Sequence, residues 1–144
     1  MGITFNLGIL IAWFTFKSTI SFTPILLYLS AIIWTIGYDT IYAYQDIIDD
    51  KAAGIKSLAL KLGYSASNMI WKFYSVTFIL LLIVALNTYM GVYFFIIFGI
   101  AAYIMHLEIE TLDFKNTKDC LKKFNNNVLF GTLIFLALIF GKFY

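Results

Sequence analysis

The residues best suited to chemistry are four aspartates, Asp39, Asp46, Asp49 and Asp50, which make up half of the eight acidic residues in the chain. They end an otherwise apolar run. Carboxylates at a membrane boundary are energetically costly, so their presence there indicates either a function or nearby partners. Asp46 and Asp50 are four residues apart, so in a helix their like charges would repel each other. A divalent cation would relieve that repulsion. Mg²⁺ is commonly held by one or two carboxylates while it bridges to substrate phosphates, so the cluster predicts a metal-diphosphate site.

The element that must position these aspartates is the apolar run that precedes them. It contains no strong helix breaker before Gly54, so we expect one helix to continue through the cluster. At about 100° per residue, the following residues would then form one stripe: Asp39, Tyr42, Asp46, Asp49 and Asp50. Asp39 would lie inside the membrane edge, where an ionisable group indicates function. The alternative is that these are solvated loop charges paired with lysines such as Lys51, and this applies most to Asp49.

The composition indicates a polytopic membrane protein. Hydrophobic residues make up 62% of the chain and charged residues 12%, and the mean hydropathy is +0.89. A membrane helix needs about 20 apolar residues to cross about 30 Å of hydrocarbon. We therefore predict an all-α transmembrane bundle in a single domain over 1–144. Its five predicted spans cover 3–16, 22–44, 68–86, 89–105 and 128–140. The first is short, and we interpret it as a retained span rather than a signal peptide.

The lysines predict the orientation of the bundle. All ten basic residues are lysines, and most of them lie in two predicted polar loops, about 46–67 and 106–127. An even number of spans separates these loops, which places them on one face. Because cytoplasmic loops are enriched in lysine and arginine, we expect that face to be cytoplasmic. Lys17 and Lys142 fall on the opposite side.

The aspartate stretch resembles the second aspartate-rich motif of the UbiA-type intramembrane prenyltransferases. The resemblance is carried by Tyr38-Asp39-Thr40, Tyr42-Ala43, Asp46, Asp49-Asp50 and Gly54-Ile55-Lys56-Ser57. It extends to Phe124-Asn125-Asn126-Asn127 before the last predicted span and to the spacing of the spans. Members of the family also carry an N-terminal half with a first motif of Asn-Asp-x-x-Asp-x-x-x-Asp type, which this sequence lacks. The chain therefore resembles the C-terminal half of the family's bundle.

The resemblance implies an activity and roles for the acidic residues. Within the family, the resemblance is greatest to members that transfer a polyprenyl group from a polyprenyl diphosphate to the ring of 4-hydroxybenzoate in ubiquinone synthesis. Asp46 and Asp50 would hold Mg²⁺ on the diphosphate, with Asp49 as the most dispensable ligand. Asp39 would support the metal shell or the polar network around it.

The resemblance also suggests residues that bind substrate. Tyr42 would face an allylic cation, although a tyrosine in a helical bundle commonly serves packing. Lys56 is a candidate contact for the diphosphate or the acceptor carboxylate, or else a plain loop charge. Asn126 and its two neighbouring asparagines would line the site or cap the last helix. His106 is less favoured as a lone base than as a loop histidine.

The implied partners are the two substrates, membrane lipid and a possible separate N-terminal half chain; nucleic acid is not expected. The implied location is a bacterial inner membrane, with the site facing the cytoplasm. Two alternatives remain: a non-catalytic scaffold or lipid-diphosphate-binding fragment, and a decayed gene product. The family's acceptor site is expected to use an arginine, and this chain has none.

Overall fold

The computed structural model describes residues 2–19, 21–63 and 66–143, and all the regular elements in these ranges are helices. The predicted all-α fold class is thereby confirmed. In chain order the helices are α1 (Gly2–Phe5), α2 (Leu7–Phe16), α3 (Phe22–Tyr42), α4 (Ile47–Ala52), α5 (Leu58–Leu62), α6 (Ser67–Asn87), α7 (Val92–Glu110) and α8 (Thr117–Phe140).

Four of these helices, α3, α6, α7 and α8, are long and apolar enough to cross a membrane. Over the predicted span 3–16 the chain instead forms two short helices, α1 and α2, which meet at Asn6. The Asn6 side-chain amide donates hydrogen bonds to the Gly2 carbonyl at 2.8 Å and to Thr35 Oγ1 at 2.9 Å. This residue therefore ties the short helices to α3. Entry of these two short helices into the membrane remains a prediction.

The four long helices run antiparallel to their neighbours. Thr77 of α6 donates to the Ser30 carbonyl of α3 at 3.4 Å, and a Cβ on Gly37, further along α3, would lie 3.2 Å from the ring of Tyr74. At the other end of the bundle, the Gly91 amide before α7 donates to the Gly141 carbonyl after α8 at 2.8 Å. The C-terminal ends of α3 and α7 therefore lie at the same end as the N-terminal ends of α6 and α8.

The two polar loops lie together at this end of the bundle. Tyr44, which follows α3, packs against Phe114, which follows α7, with their ring centroids 4.7 Å apart. Both side chains are buried, and the Tyr44 hydroxyl also donates to the Gly63 carbonyl. The prediction that the two loops share one face is confirmed.

The extent of the second polar segment was predicted wrongly. Residues 106–110 continue α7, and α8 begins at Thr117, so the loop between them covers only 111–116. Asn116 caps α8, because its side-chain oxygen accepts from the amides of Lys118 at 3.1 Å and Asp119 at 3.3 Å. Asn125, Asn126 and Asn127 therefore lie within α8 and do not cap it.

His106 is also helical rather than a loop residue. It lies on α7, with Nε2 3.5 Å from Glu110 Oε2 and its ring centroid 4.9 Å from that of Trp71. Both His106 and Glu110 are exposed. These contacts place the histidine on the surface of the helix pair, where its acidic neighbour Glu110 is exposed as well.

Lys123 joins α8 to α7 through a largely buried polar network. Its ammonium lies 3.3 Å from Glu108 Oε2 and donates to Thr111 Oγ1 at 2.6 Å. The same Glu108 oxygen accepts from the Asn126 side-chain amide at 3.0 Å. Lys123 is 9% exposed, so its charge depends on these partners.

We expect Lys123→Met to lower the free energy of unfolding by about 1–3 kcal/mol, because it removes the hydrogen bond to Thr111 and the ion pair with Glu108. Chemical unfolding in detergent micelles, followed by circular dichroism, would measure the change. Lys122→Met is the matched control, since the neighbouring Lys122 is exposed and its replacement should change stability by less than about 0.5 kcal/mol. Equal effects of the two substitutions would contradict a structural role for the Lys123 network.

Candidate functional site

The aspartates do not lie on one continuous helix, so the predicted stripe is wrong. Helix α3 ends at Tyr42, residues 43–46 form a turn, and α4 begins at Ile47. The reason is tertiary: the buried Tyr44 contacts Phe114 and the Gly63 carbonyl, and these contacts compete with continuation of the helix. Asp39 is therefore in the last turn of α3, whereas the other three aspartates belong to α4 and its start.

Asp46 and Asp50 nevertheless remain one helical turn apart. The Asp50 amide donates to the Asp46 carbonyl at 2.7 Å. Asp46 stands at the N-cap of α4, yet its side chain makes no capping hydrogen bond. The predicted spacing of the two carboxylates is thus retained on a short helix instead of a membrane span.

The four aspartate carboxylates are not paired with any residue that the structure describes. Within the described ranges, no hydrogen bond or ion pair involves the carboxylates of Asp39, Asp46, Asp49 or Asp50. Pairing with Lys51, the alternative to a metal site, is therefore not present among these residues. Asp46 and Asp49 are exposed, and Asp39 and Asp50 are half-buried.

The Gly-Ile-Lys-Ser segment forms the connection from α4 to α5. Gly54 has a φ of +69°, a conformation that glycine adopts at little cost, and the Ile55 amide closes the turn on the Asp50 carbonyl at 2.9 Å. Ser57 Oγ then accepts from the Leu60 amide at 3.3 Å and caps α5. Lys56 lies between this turn and the Ser57 cap, and it is exposed. The motif thus has a structural role, and the Lys56 side chain lies on the surface.

The acidic residues fit Mg²⁺ in kind, although they are few. Across residues 2–19, 21–63 and 66–143, no group of three or more histidine, cysteine, aspartate or glutamate side chains is arranged to hold a metal. Mg²⁺ usually retains several waters and needs only one or two carboxylates when substrate phosphates complete its shell. The carboxylate oxygens of Asp46 and Asp50, which have no partner in the described part of the chain, match that requirement.

A groove lined by aromatic side chains extends from this end of the bundle along α3 and α8. Trp34, Tyr38 and Tyr42 follow one another at intervals of four residues on α3. The ring centroid of Phe124 on α8 lies 4.8 Å from that of Tyr42 and 5.8 Å from that of Tyr38. Tyr42 is 44% exposed, so it packs on α8 with only part of its ring.

Two cavities open into the groove. One of about 270 Å³ is lined by Phe5, Asn6, Trp34, Thr35, Tyr38, Phe124, Asn125, Asn127 and Val128. The other, of about 510 Å³, shares Thr35, Tyr38 and Phe124 and also includes Asp39. The Asp39 carboxylate therefore lies beside a space with mainly apolar walls. A ligand with a charged head and an apolar tail would suit this combination.

The three consecutive asparagines of α8 have different surroundings. Asn125 lines the smaller cavity, and the Asn126 amide donates to Glu108. Asn127 is buried, and its side-chain oxygen accepts from Trp34 Nε1 at 3.0 Å and from the Tyr74 hydroxyl at 2.8 Å. Its amide donates to the Lys123 carbonyl at 3.0 Å. Asn126, predicted as a substrate contact, is thus occupied by a structural partner, and its substrate role stays a prediction.

Sequence reasoning missed most of the groove. Trp34, Tyr38, Phe124 and Asn6 were not selected as site residues, although the aromatic spacing on α3 and an asparagine within an apolar run were visible signals. Gln45 was missed as well: its side-chain nitrogen is buried and has no hydrogen-bond partner among the described residues. This unused donor directly precedes Asp46 in the turn.

Comparison with known proteins gives the class. Residues 1–139 match the UbiA prenyltransferase family, so the chain belongs to that family, as its motifs predicted. With four candidate spans in a helical bundle, it is an integral membrane protein.

The chain is similar to two mitochondrial 4-hydroxybenzoate polyprenyltransferases. It is 34% identical to the Arabidopsis thaliana protein over 143 residues, which cover 99% of this chain and 35% of that protein. The identity to the Homo sapiens protein is 35% over 144 residues, covering 99% and 38%. The chain is also 39% identical to 4-hydroxybenzoate geranyltransferase 1 of Lithospermum erythrorhizon over 119 residues, covering 82% and 38%. It therefore spans little more than a third of the length of these relatives. No solved structure matches the chain significantly.

Proposed function

We propose that this chain forms the diphosphate-binding side of an intramembrane prenyltransferase that attaches a polyprenyl group to the ring of 4-hydroxybenzoate in ubiquinone biosynthesis. The observation that carries the proposal is the position of Asp39, which precedes the Asp46–Asp50 pair in the chain and lines a cavity of the aromatic, largely apolar groove. The identity of the substrates is taken from the names of the relatives. The activity requires the groups that the remainder of the family's fold supplies, either in the same polypeptide or as a separate N-terminal half chain.

The reaction is a substitution at an allylic carbon. The bond between that carbon and the diphosphate oxygen breaks, and its electron pair leaves with the diphosphate. The ring carbon ortho to the hydroxyl of 4-hydroxybenzoate then forms the new carbon–carbon bond. Loss of the proton from this ring carbon restores aromaticity, so diphosphate and one proton are released for each prenyl group transferred.

Asp46 and Asp50 would hold Mg²⁺, with Asp49 as a third and more dispensable ligand. The bound metal would neutralise negative charge on the leaving diphosphate. Asp39, which lies beside the cavity, would support the polar network at the head of the site. Lys56 would contact the diphosphate or the acceptor carboxylate from the loop after α4.

The aromatic residues of the groove would accommodate the carbon skeleton. Tyr42 and Tyr38 both pack against Phe124 near Asp39, and a ring face turned toward the allylic carbon would stabilise its positive charge by cation–π attraction. Asn126 would act near the acceptor only after release from Glu108. Since this chain contains no arginine, a guanidinium for the acceptor carboxylate would have to come from the remainder of the fold.

For location, we propose a bacterial inner membrane with the aspartate end facing the cytoplasm. The two lysine-bearing loops lie at that end of the bundle, in agreement with the preference of lysine for cytoplasmic loops. Membrane lipid would then surround the exposed apolar faces of the long helices.

A second candidate is binding of prenyl diphosphate without transfer. It is favoured by the small number of acidic ligands among the described residues and by the share of the relatives' length that the chain covers. A chain with no function at all would show neither binding nor transfer.

Metal dependence tests the proposal. Membranes containing the chain, with and without an N-terminal family half, would be supplied with radiolabelled 4-hydroxybenzoate and a polyprenyl diphosphate. We expect labelled prenylated product only with Mg²⁺, with at least about a hundredfold loss after chelation and recovery on adding Mg²⁺ back. Donor binding without product in both samples would favour the second candidate. Transfer that persists in chelator would exclude the metal-diphosphate site.

A further inference from the structure

Trp34 lies between two cavities at different levels of the bundle. The outer chamber is the cavity of about 270 Å³ that includes Tyr38 and Phe124. The inner chamber, of about 280 Å³, is lined by residues earlier on α3 and later on α8, including Leu27, Ala31, Ile134 and Leu138. Both chambers have Trp34 and Asn6 among their lining residues, and the Asn6 amide is hydrogen-bonded to the Gly2 carbonyl and Thr35. Because a helix rises about 1.5 Å per residue, the chambers follow one another along α3, and the inner chamber lies further from Asp39.

The indole of Trp34 is fixed from several sides. Its Nε1 donates to Asn127 Oδ1, which is also held by the Tyr74 hydroxyl. The ring meets that of Phe130 edge-on, with centroids 5.0 Å apart. Gly131 allows α8 to approach closely, since a Cβ there would lie only 2.9 Å from Trp34 Cη2. Moving the indole would therefore require breaking hydrogen bonds or separating α3 from α8.

The inner chamber suits an apolar chain. Its two hydroxyl-bearing residues, Ser30 and Thr77, donate to backbone carbonyls of their own helices at 2.7 Å and 3.0 Å. They consequently do not require a polar ligand. Most of the remaining walls are hydrocarbon or aromatic.

We propose that Trp34 is a specificity-determining residue that limits how far an isoprenoid tail can extend between α3 and α8. This inference rests on the proposed function, which places the diphosphate at the Asp39 end of the groove. The first isoprene units would occupy the outer chamber, and the end of a longer tail would reach the inner chamber only past the indole. Asn127 is the positioning residue that keeps the indole in place.

Replacing Trp34 with the smaller leucine should join the two chambers and favour the longer tail. Differences of a few methylenes in an apolar site change discrimination by about tenfold or more. We therefore expect the affinity ratio of geranylgeranyl to geranyl diphosphate to rise about tenfold in Trp34→Leu. Gly131→Ala, which forces the indole to move without removing it, should also change this ratio.

The test uses the full chain in lipid nanodiscs with Mg²⁺, and it measures displacement of radiolabelled geranylgeranyl diphosphate by each unlabelled compound. Trp71→Leu is the matched control, because Trp71 packs on His106 and does not line either chamber. Circular dichroism would verify folding, and Gly131→Ala replaces Trp34→Leu if the latter does not fold. An unchanged ratio in the folded variant, or an equal shift in Trp71→Leu, would overturn the role of Trp34 alone. Failure of the wild-type chain to bind either compound would overturn the proposed function as well.

Discussion

Replacement of Asp46 and Asp50 by asparagine is expected to reduce prenyl transfer by at least about a hundredfold, the scale seen when one preorganised electrostatic contact to a reacting group is lost. Both side chains keep their size and lose only their negative charge. In the structure they are one turn apart, and neither carboxylate has a partner among the described residues. The substitutions therefore break no hydrogen bond or ion pair with a described residue, so the loss should be confined to metal and diphosphate binding.

The measurement is the rate of product formation as a function of Mg²⁺ concentration, for each single variant and for the double variant. The single variants should require more Mg²⁺ for half-maximal rate, and Asp49→Asn should have the smallest effect of the three. Glu110→Gln is the matched control, because Glu110 is an exposed carboxylate at the same end of the bundle, on α7. If Asp46→Asn retains full activity and an unchanged Mg²⁺ requirement, the assignment of Asp46 as a ligand is wrong.

Asn127→Leu is expected to be the most destabilising of the three equivalent changes in the asparagine run, by about 2–5 kcal/mol. The leucine removes the acceptor shared by Trp34 Nε1 and the Tyr74 hydroxyl. Two donors then lose their partner in the interior, and each such loss costs about 1–3 kcal/mol. Tyr74 is fully buried, so water cannot readily replace the missing oxygen.

The two preceding asparagines provide controls with the same substitution on the same helix. Asn126→Leu removes one partly buried hydrogen bond to Glu108, and should cost about 0.5–2 kcal/mol. Asn125 is exposed, so Asn125→Leu should leave stability within about 0.5 kcal/mol of the wild type. Denaturant unfolding in one detergent would rank the three variants. Equal losses for Asn125 and Asn127 would show that the Asn127 hydrogen bonds do not stabilise the bundle.

Several features of the site follow from local sequence. Asp46 and Asp50 remain one helical turn apart because the local sequence forms that turn in the short helix α4 as it would in a longer helix. Gly54 and Ser57 determine the turn and the cap after α4 through their own backbone freedom and hydroxyl.

The groove, in contrast, could not be predicted from local sequence. It depends on Phe124 of α8 meeting Tyr38 and on Asn127 of α8 meeting Trp34, which lies 93 residues from Asn127 in the chain. No local pattern encodes which faces of two distant helices meet, because many side-chain pairings satisfy the same apolar periodicity. The turn at 43–46 is of the same kind, since the chain there follows the buried contacts of Tyr44 in preference to its helical pattern.

By itself the sequence determined that this chain is a helical membrane protein of the UbiA prenyltransferase family, with its acidic chemistry concentrated in one short stretch. Composition and apolar run length suffice for the first conclusion, because the hydrocarbon of a bilayer admits few backbone structures. The spacing of the motif residues suffices to identify the family and to locate the acidic stretch. Only the tertiary structure decided that the aspartates are divided between α3 and the start of α4, that Asp39 lines an aromatic groove, and that Trp34 borders two cavities along that groove. These features arise from contacts between residues far apart in the chain, whose geometry is set when the helices pack.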